Sequence, residues 1–325
     1  MSLYESARES LLKLGPGHPV LRSAIRLQAR ASGFKVAASP EQLTLSKGDR
    51  RMLLPSGQYL MVPYAVHMWN QLFDTVTPEV QGQTAVLDFS KPGLHRYTQS
   101  GLTFWSPGMI EEDSMQAYTA AYQPKPGEVI WDVGAHGGFT TYYFSRMVGP
   151  TGRVYAFEPD DHTYDYLLRN IALHKLENVI PVKKALAEKT GKALFSMDGS
   201  LGAGLTDYTD TADKRQIREV ETISFEDACR EFKAPALVKM DIEGAEVPVV
   251  AGALSVLKEN KIHFAIETEH RINREYTWVP ITRMLSGIGY SVRTELYEGQ
   301  HFTWAGPNQL EMPLQASGHA PVAPN

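Results

Sequence analysis

The segment Val129-Ile130-Trp131-Asp132-Val133-Gly134-Ala135-His136-Gly137-Gly138 decides the reading of this chain. A short apolar run leads straight into a glycine-rich turn, the pattern of a buried strand that hands over to a helix. Glycine is needed where backbone must take a positive φ or approach a ligand closely. The dinucleotide fingerprint G-x-G-x-x-G fails here, because Gly134, Gly137 and Gly138 are wrongly spaced. That spacing disfavours a nicotinamide-dependent oxidoreductase. An acidic residue, Asp132, instead precedes the first glycine by two, and Gly138 follows that glycine by four. This D-x-G-x-x-x-G arrangement suits a ligand with a cationic centre and no pyrophosphate. The plainer reading is a tight strand–helix turn with an incidental aspartate.

Downstream of Gly127, strand and helix alternate. Strands are expected at 129–133, 153–157, 179–183, 237–241 and 263–267, and helices at 138–147, 163–175, 245–260 and 278–286. Such alternation predicts an α/β domain with a doubly wound, mostly parallel sheet, helices on both faces, and a site at the carboxyl ends of the strands. The second strand runs into Glu158-Pro159-Asp160. Glu158 lies about 20 residues past the glycine loop, where an acidic side chain can accept both hydroxyls of a ribose. A surface glutamate before a turn-forming proline is the alternative.

The order Asp132–Gly138, Phe157-Glu158-Pro159, Asn170, Lys239-Met240-Asp241-Ile242-Glu243-Gly244-Ala245-Glu246 and Ile266-Glu267 resembles the FkbM family of S-adenosylmethionine-dependent methyltransferases. The resemblance spans roughly residues 123–270, and its most specific part is the block D-[IV]-E-G-A-E. It implies a Rossmann-like sheet, S-adenosylmethionine as donor, and O-methylation of a hydroxyl on a carbohydrate or secondary metabolite. Gly137 departs from the family, which usually places a bulkier apolar residue there. The implied cofactor residues are Asp132, Gly134, Ala135, Gly138, Glu158 and Asp241. Asp132 would orient the loop near the amino group of the methionine moiety. Gly134 and Gly138 would let backbone approach the cofactor, and Glu158 would hold the ribose. The third strand end would bring Lys184, Ala185 and Leu186 near adenine, and the loop 199–202 could cover the site.

Methyl transfer is an in-line displacement, for which the protein aligns nucleophile and methyl. A hydroxyl also needs a base or a metal to take its proton. Candidates cluster at two strand ends: Asp241 with Glu243 and Glu246, and Glu267 with Glu269 and His270. Asp241, Glu267 and His270 are the expected catalytic residues. Histidine has the right unperturbed pKa for proton transfer near neutrality. Glu246 reads better as a carboxylate in the first turn of a helix, where it meets the helix dipole. Asp241, Glu267, Glu269 and His270 could also hold a divalent ion, but an oxygen and nitrogen set is unselective and no metal is assigned.

The first 123 residues lie outside the resemblance. A helix is expected at 4–14, another at 19–31 with Leu21, Ala24, Ile25 and Gln28 on one side, and one at 64–76; 113–122 also reads as helical. Short strands are expected at 43–45, 51–54, 84–89 and 102–105. The whole is an α+β extension at 1–123, a substrate cap or an oligomerisation element, before a methyltransferase domain at 124–306 and a flexible tail at 307–325. Arg22, Arg26 and Arg30 share a face of the helix 19–31, so a solvated surface helix competes with weak peripheral membrane binding. A non-catalytic scaffold that binds a partner through 1–123 is the alternative function. The charge balance is +1 over residues 1–123 and −6 over 124–325, so the sheet domain lacks the basic face of a nucleic-acid binder. The acceptor is therefore expected to be a small molecule or glycan. A single cysteine, Cys229, excludes an intramolecular disulfide framework and a cysteine-based zinc site. No apolar stretch reaches the roughly 20 residues of a membrane span, and the start of the chain lacks a signal-peptide pattern, so a cytoplasmic location is expected.

Overall fold

The computed structural model describes residues 18–109, 115–196, 204–205, 217–272, 275–297 and 300–310. The chain forms two compact units, 1–112 and 113–325. The expected helix at 4–14, the loop 199–202 and most of the tail lie outside the described residues.

The second unit is built on strands β1 (Val129–Val133), β2 (Arg153–Phe157), β3 (Val179–Val182), β4 (Leu237–Met240), β5 (His263–Glu267), β6 (Ser291–Tyr297) and β7 (Gln300–Gly306). Their order in the sheet is β3-β2-β1-β4-β5-β7-β6. The first five are mutually parallel, and β7 runs antiparallel between β5 and β6. Crossovers are made by α1 (Phe139–Val148), α2 (Asp161–His174), α3 (Glu246–Leu257) and α4 (Trp278–Gly287). All five residues of β1 and all four of β4 are buried, as expected of central strands covered on both faces. Val129, Trp131, Val133, Val238 and Met240 pack in one core with Phe157, Phe225, Val249, Val250, Phe264 and Ile281.

The expected strands 129–133, 153–157 and 263–267 are observed with those bounds, and β3 and β4 each end one residue earlier than expected. The terminal pair β6 and β7 and the short helix Phe225–Glu231 were not anticipated. β6 is half-buried along its length, so it carries no clear inside–outside alternation. Among the described residues, the helical stretch expected at 113–122 is reduced to Met115–Thr119. It belongs with the sheet, because Trp304 donates its indole N–H to the carbonyl of Ala117 at 2.7 Å.

The first unit contains a five-stranded sheet, Lys35–Ala38, Gln42–Lys47, Arg50–Pro55, Thr84–Asp88 and Glu79–Gln81 in spatial order, and a separate hairpin of Gly93–Arg96 with Thr103–Ser106. The expected strands 43–45 and 51–54 lie in Gln42–Lys47 and Arg50–Pro55, which form a hairpin that turns through Gly48 at φ 61. The helix expected at 64–76 is two helices, Met61–His67 and Trp69–Thr75, broken where Met68 turns to ψ 6. Both halves bury the same side, Val62 and Ala65 followed by Trp69, Leu72 and Phe73, so the apolar period runs across the break unchanged. The helix Pro19–Ala31 buries Leu21, Ile25 and Ala29 rather than Gln28, which is exposed. Arg22 and Arg26 lie over the ring of Tyr59 at 5.0 and 5.3 Å, and Arg26 donates to its hydroxyl at 2.5 Å. Part of the basic face is thus spent within the unit. Among the described residues no helix is long and apolar enough to cross a membrane.

Candidate active site

Strand register sets the site. Phe157 pairs with Val133, Val133 with Met240, and Met240 with Ile266. The residues that follow each of these, Glu158, Gly134, Asp241 and Glu267, therefore form one row along the carboxyl edge of the sheet. Four of the residues singled out from sequence are brought side by side in this way.

The glycine loop is pinned at several points. The N–H groups of Gly134 and Ala135 donate to the carbonyl of Phe157 at 3.1 and 3.0 Å. Gly134 sits at φ 78, and a β-carbon there would lie 1.9 Å from the carbonyl oxygen of Asp241. Gly138 sits at φ 86, with Leu167 closing on the space a β-carbon would need. Asn170, buried on α2, donates its side-chain amide to the carbonyl of Gly137 at 2.7 Å.

Asp132 is fully buried. It accepts from the hydroxyls of Thr140 and Thr141 at 2.8 and 2.5 Å. Lys239, its register partner on β4, places Nζ 3.4 Å from its other oxygen and donates to the carbonyl of Gly134 at 2.6 Å. Asp132 and Lys239 thus hold the loop from beneath. The sequence motifs include Lys239 without a role for it, and do not include Thr140 or Thr141. The available signal was one lysine in the apolar strand Leu237–Met240 beside one aspartate in the apolar strand Val129–Val133; buried charges of that kind are paired.

Glu158 is 6% exposed. Its two oxygens accept backbone N–H groups of His136 at 2.8 Å and Asp160 at 2.9 Å. Burial raises its pKa to about 7, against the opposing pull of those bonds and of Thr163, with the charge of Asp160 adding to the rise. Each carboxylate oxygen can accept a second bond, so the residue is a buried acceptor suited to a pair of hydroxyls. Lys184 is paired with Glu231 at 3.2 Å, and Ala185 and Leu186 are buried in a short strand, Ala185–Ala187.

At the other end of the row, Glu267 is buried, accepting from the hydroxyl of Tyr118 at 3.3 Å and from the side-chain amide of Gln300 at 3.0 Å. His270 does not join it; its ring lies between two glutamates. Nε2 is 3.0 Å from Glu243, and Nδ1 is 3.7 Å from Glu246. Burial pushes the imidazole pKa down, but the bond to Glu243 and the charges of Glu246, Glu243 and Asp241 outweigh it and carry the ring to about 10. A ring so charged has no lone pair with which to accept a proton. Glu243 adopts a positive φ of 56, and its pKa is lifted to about 7, chiefly by burial. Glu246, fully buried at the start of α3, accepts the N–H groups of Ile242 and Gly244, each at 3.1 Å, so it braces the turn before the helix.

Sheet order, glycine loop and buried acidic residue together make the Rossmann-like arrangement expected of an S-adenosylmethionine-dependent methyltransferase. Residues 132–292 match the methyltransferase FkbM domain. The family's methyl donor is S-adenosylmethionine. The chain is 30% identical over 145 residues to the hexuronic acid methyltransferase AglP of Haloferax volcanii, covering 44% of this chain and 56% of that protein. It is 38% identical over 78 residues to a tRNA(Phe) (4-demethylwyosine(37)-C(7)) aminocarboxypropyltransferase of Methanocaldococcus jannaschii, covering 24% of this chain and 29% of that one. The match therefore spans little more than half of the first curated relative and less than a third of the second. Among solved structures, an FkbM methyltransferase of Methylobacillus flagellatus KT aligns with a TM-score of 0.42 at 18% identity, covering 55% of this chain and 43% of the other.

The residues present fit this donor. Glu158 would supply the buried acceptor for a diol, and Gly134 lets the loop pack against the carbonyl of Asp241 at the end of β4. When bound, S-adenosylmethionine supplies an electrophilic methyl on a sulfonium. A pH dependence follows. Ribose hydroxyls held by Glu158 would stabilise its carboxylate form, so donor affinity is expected to be full above about pH 7 and to decline as pH falls through it. Folding stability moves the other way: a carboxyl whose pKa rises on folding binds more protons folded than unfolded. Glu158 therefore adds stability as pH falls from about 7 towards its ordinary 4.5. Calorimetric titrations at pH 6 and 8, beside urea melts at the same pH values, check both signs.

Proposed function

We propose that this protein transfers a methyl group from S-adenosylmethionine to a hydroxyl of a carbohydrate or a related secondary metabolite. The observation that carries this reading is the row Glu158, Gly134, Asp241 and Glu267 along one sheet edge. It sets a diol acceptor at one end and two carboxylates at the other, on either side of the loop. Asp241 and Glu267 are the groups we assign to the acceptor hydroxyl. One orients it and one takes its proton as the new oxygen–methyl bond forms and the sulfur–methyl bond breaks, leaving S-adenosylhomocysteine. Tyr118 and Gln300 fix the carboxylate of Glu267, which keeps a base from swinging away. His270, held between Glu243 and Glu246, acts by positioning that strand end. The partial likeness to a methyltransferase named for hexuronic acid supports a sugar acceptor.

The reading is tested by screening neutral sugars, uronic acid glycosides and polyketide alcohols with S-adenosylmethionine, scoring release of S-adenosylhomocysteine. A sugar-dependent signal that disappears in Glu267→Gln while donor binding is retained supports it. Tight donor binding with no transfer across the panel would favour a scaffold that engages partners through residues 1–123.

A further inference from the structure

We propose that Asp241, Glu243 and His270 form a binding site for a divalent metal ion next to the donor site. One ligand atom from each lies within 4.8 Å of the others. Ligands around one shared ion at 2.0–2.2 Å sit roughly 3–4.4 Å apart, so a shift of a few tenths of an ångström closes the shell. The three residues come from two separate segments, the turn after β4 and the residues after β5.

A cluster of carboxylates alone proves little, but a separate feature points to a ligand. Glu246 is fully buried, and one oxygen of its carboxylate has no hydrogen-bond partner among the described residues. Its other oxygen faces Nδ1 of His270, which is also buried without a hydrogen bond. A buried polar atom left unsatisfied is destabilising, and a cation or one water of its shell would satisfy both. Three carboxyl groups surround one imidazole, and a bound cation would favour their charged forms.

Two carboxylates and one imidazole are harder than a zinc-finger set and softer than a calcium cage, a set that accepts Mn²⁺ with Mg²⁺ and Zn²⁺ as competitors. Binding requires a neutral ring, so the ion takes the place of the imidazole proton. The role we assign to the ion rests on the hydroxyl-methylation reading: it would bind the acceptor oxygen as a Lewis acid and ease loss of its proton. Binding itself does not depend on that reading. Sequence reading left the metal unassigned and named Glu267 and Glu269 among the candidates. Glu267 is held by Tyr118 and Gln300, and Glu243 takes its place.

The test is titration of the full chain, treated with chelator and then dialysed, with Mn²⁺ alone, read by the paramagnetic resonance signal of free ion. The expected result is one saturable site per chain in the micromolar range. Glu243→Gln and His270→Gln should each weaken it at least tenfold, while Glu219→Gln, in an exposed ion pair with Lys192, leaves it unchanged. Absence of saturable binding by wild-type protein up to millimolar Mn²⁺ overturns the proposal, as does a site that ignores both variants. Neither failure bears on methyl transfer, which is scored with acceptor and donor.

Discussion

Replacing Glu158 with glutamine weakens S-adenosylmethionine binding about a hundredfold while the protein stays folded. The carboxylate is buried and already takes one backbone N–H on each oxygen. A ribose diol adds two hydrogen bonds to a charged acceptor, each worth about 1.5–3 kcal/mol. Glutamine keeps the shape and one acceptor, but its amide group must face the N–H of either His136 or Asp160, donor against donor. Loss of about 2.7 kcal/mol corresponds to the hundredfold change. The fold survives because glutamine also removes the cost of burying a charge. Calorimetry with S-adenosylmethionine, beside a urea melt of the same variant, separates the two effects. A loss below threefold would remove Glu158 from the donor site.

The second large effect belongs to Lys239. It is 1% exposed, and its ammonium is shared between Asp132 and the carbonyl of Gly134, 5.3 Å from the centre of the Tyr118 ring. Lys239→Met leaves Asp132 as an uncompensated charge in a strand buried on both faces. Breaking one side of a buried pair costs about 3–5 kcal/mol, whereas replacing both sides with neutral groups is often close to neutral. The single variant should therefore show a large fall in its urea midpoint. The double variant Asp132→Asn with Lys239→Met should recover most of it, since Thr140 and Thr141 can still bond the amide oxygen. Equal loss in single and double variants would mean that the lysine acts by packing its aliphatic stem rather than by its charge.

The parallel core was legible because its strands are continuous apolar runs ending in chemically marked turns. Asp132–Gly138, Glu158 and Asp241 each close such a run, and register then places these ends side by side. The pair β6 and β7 escaped because β6 is half-buried and leaves only a weak period, while β7 is held by a distant contact, Trp304 bonding back to Ala117. The break at Met68 escaped because both flanking helices bury the same stripe. At the site, identity and position along the edge could be read from the sequence, but pairing could not. Nothing local in the chain says that His270 turns towards Glu243 and Glu246 and away from Glu267. Nor does it say that Tyr118, from a helix preceding the sheet, reaches Glu267. Those contacts join residues distant in sequence, and packing decides them.

The central claim is that a methyl group passes from S-adenosylmethionine to a sugar hydroxyl at this edge. Its most direct test uses donor labelled with deuterium in the methyl group, with uronic acid and neutral glycosides as acceptors. Both the acceptor and the spent donor are read by mass spectrometry. The account predicts a trideuteriomethyl ether, stable to mild alkali, formed in step with S-adenosylhomocysteine. An alkali-labile methyl ester would contradict the hydroxyl as acceptor. Release of methylthioadenosine, with an aminocarboxypropyl group on the acceptor, would contradict methyl transfer itself.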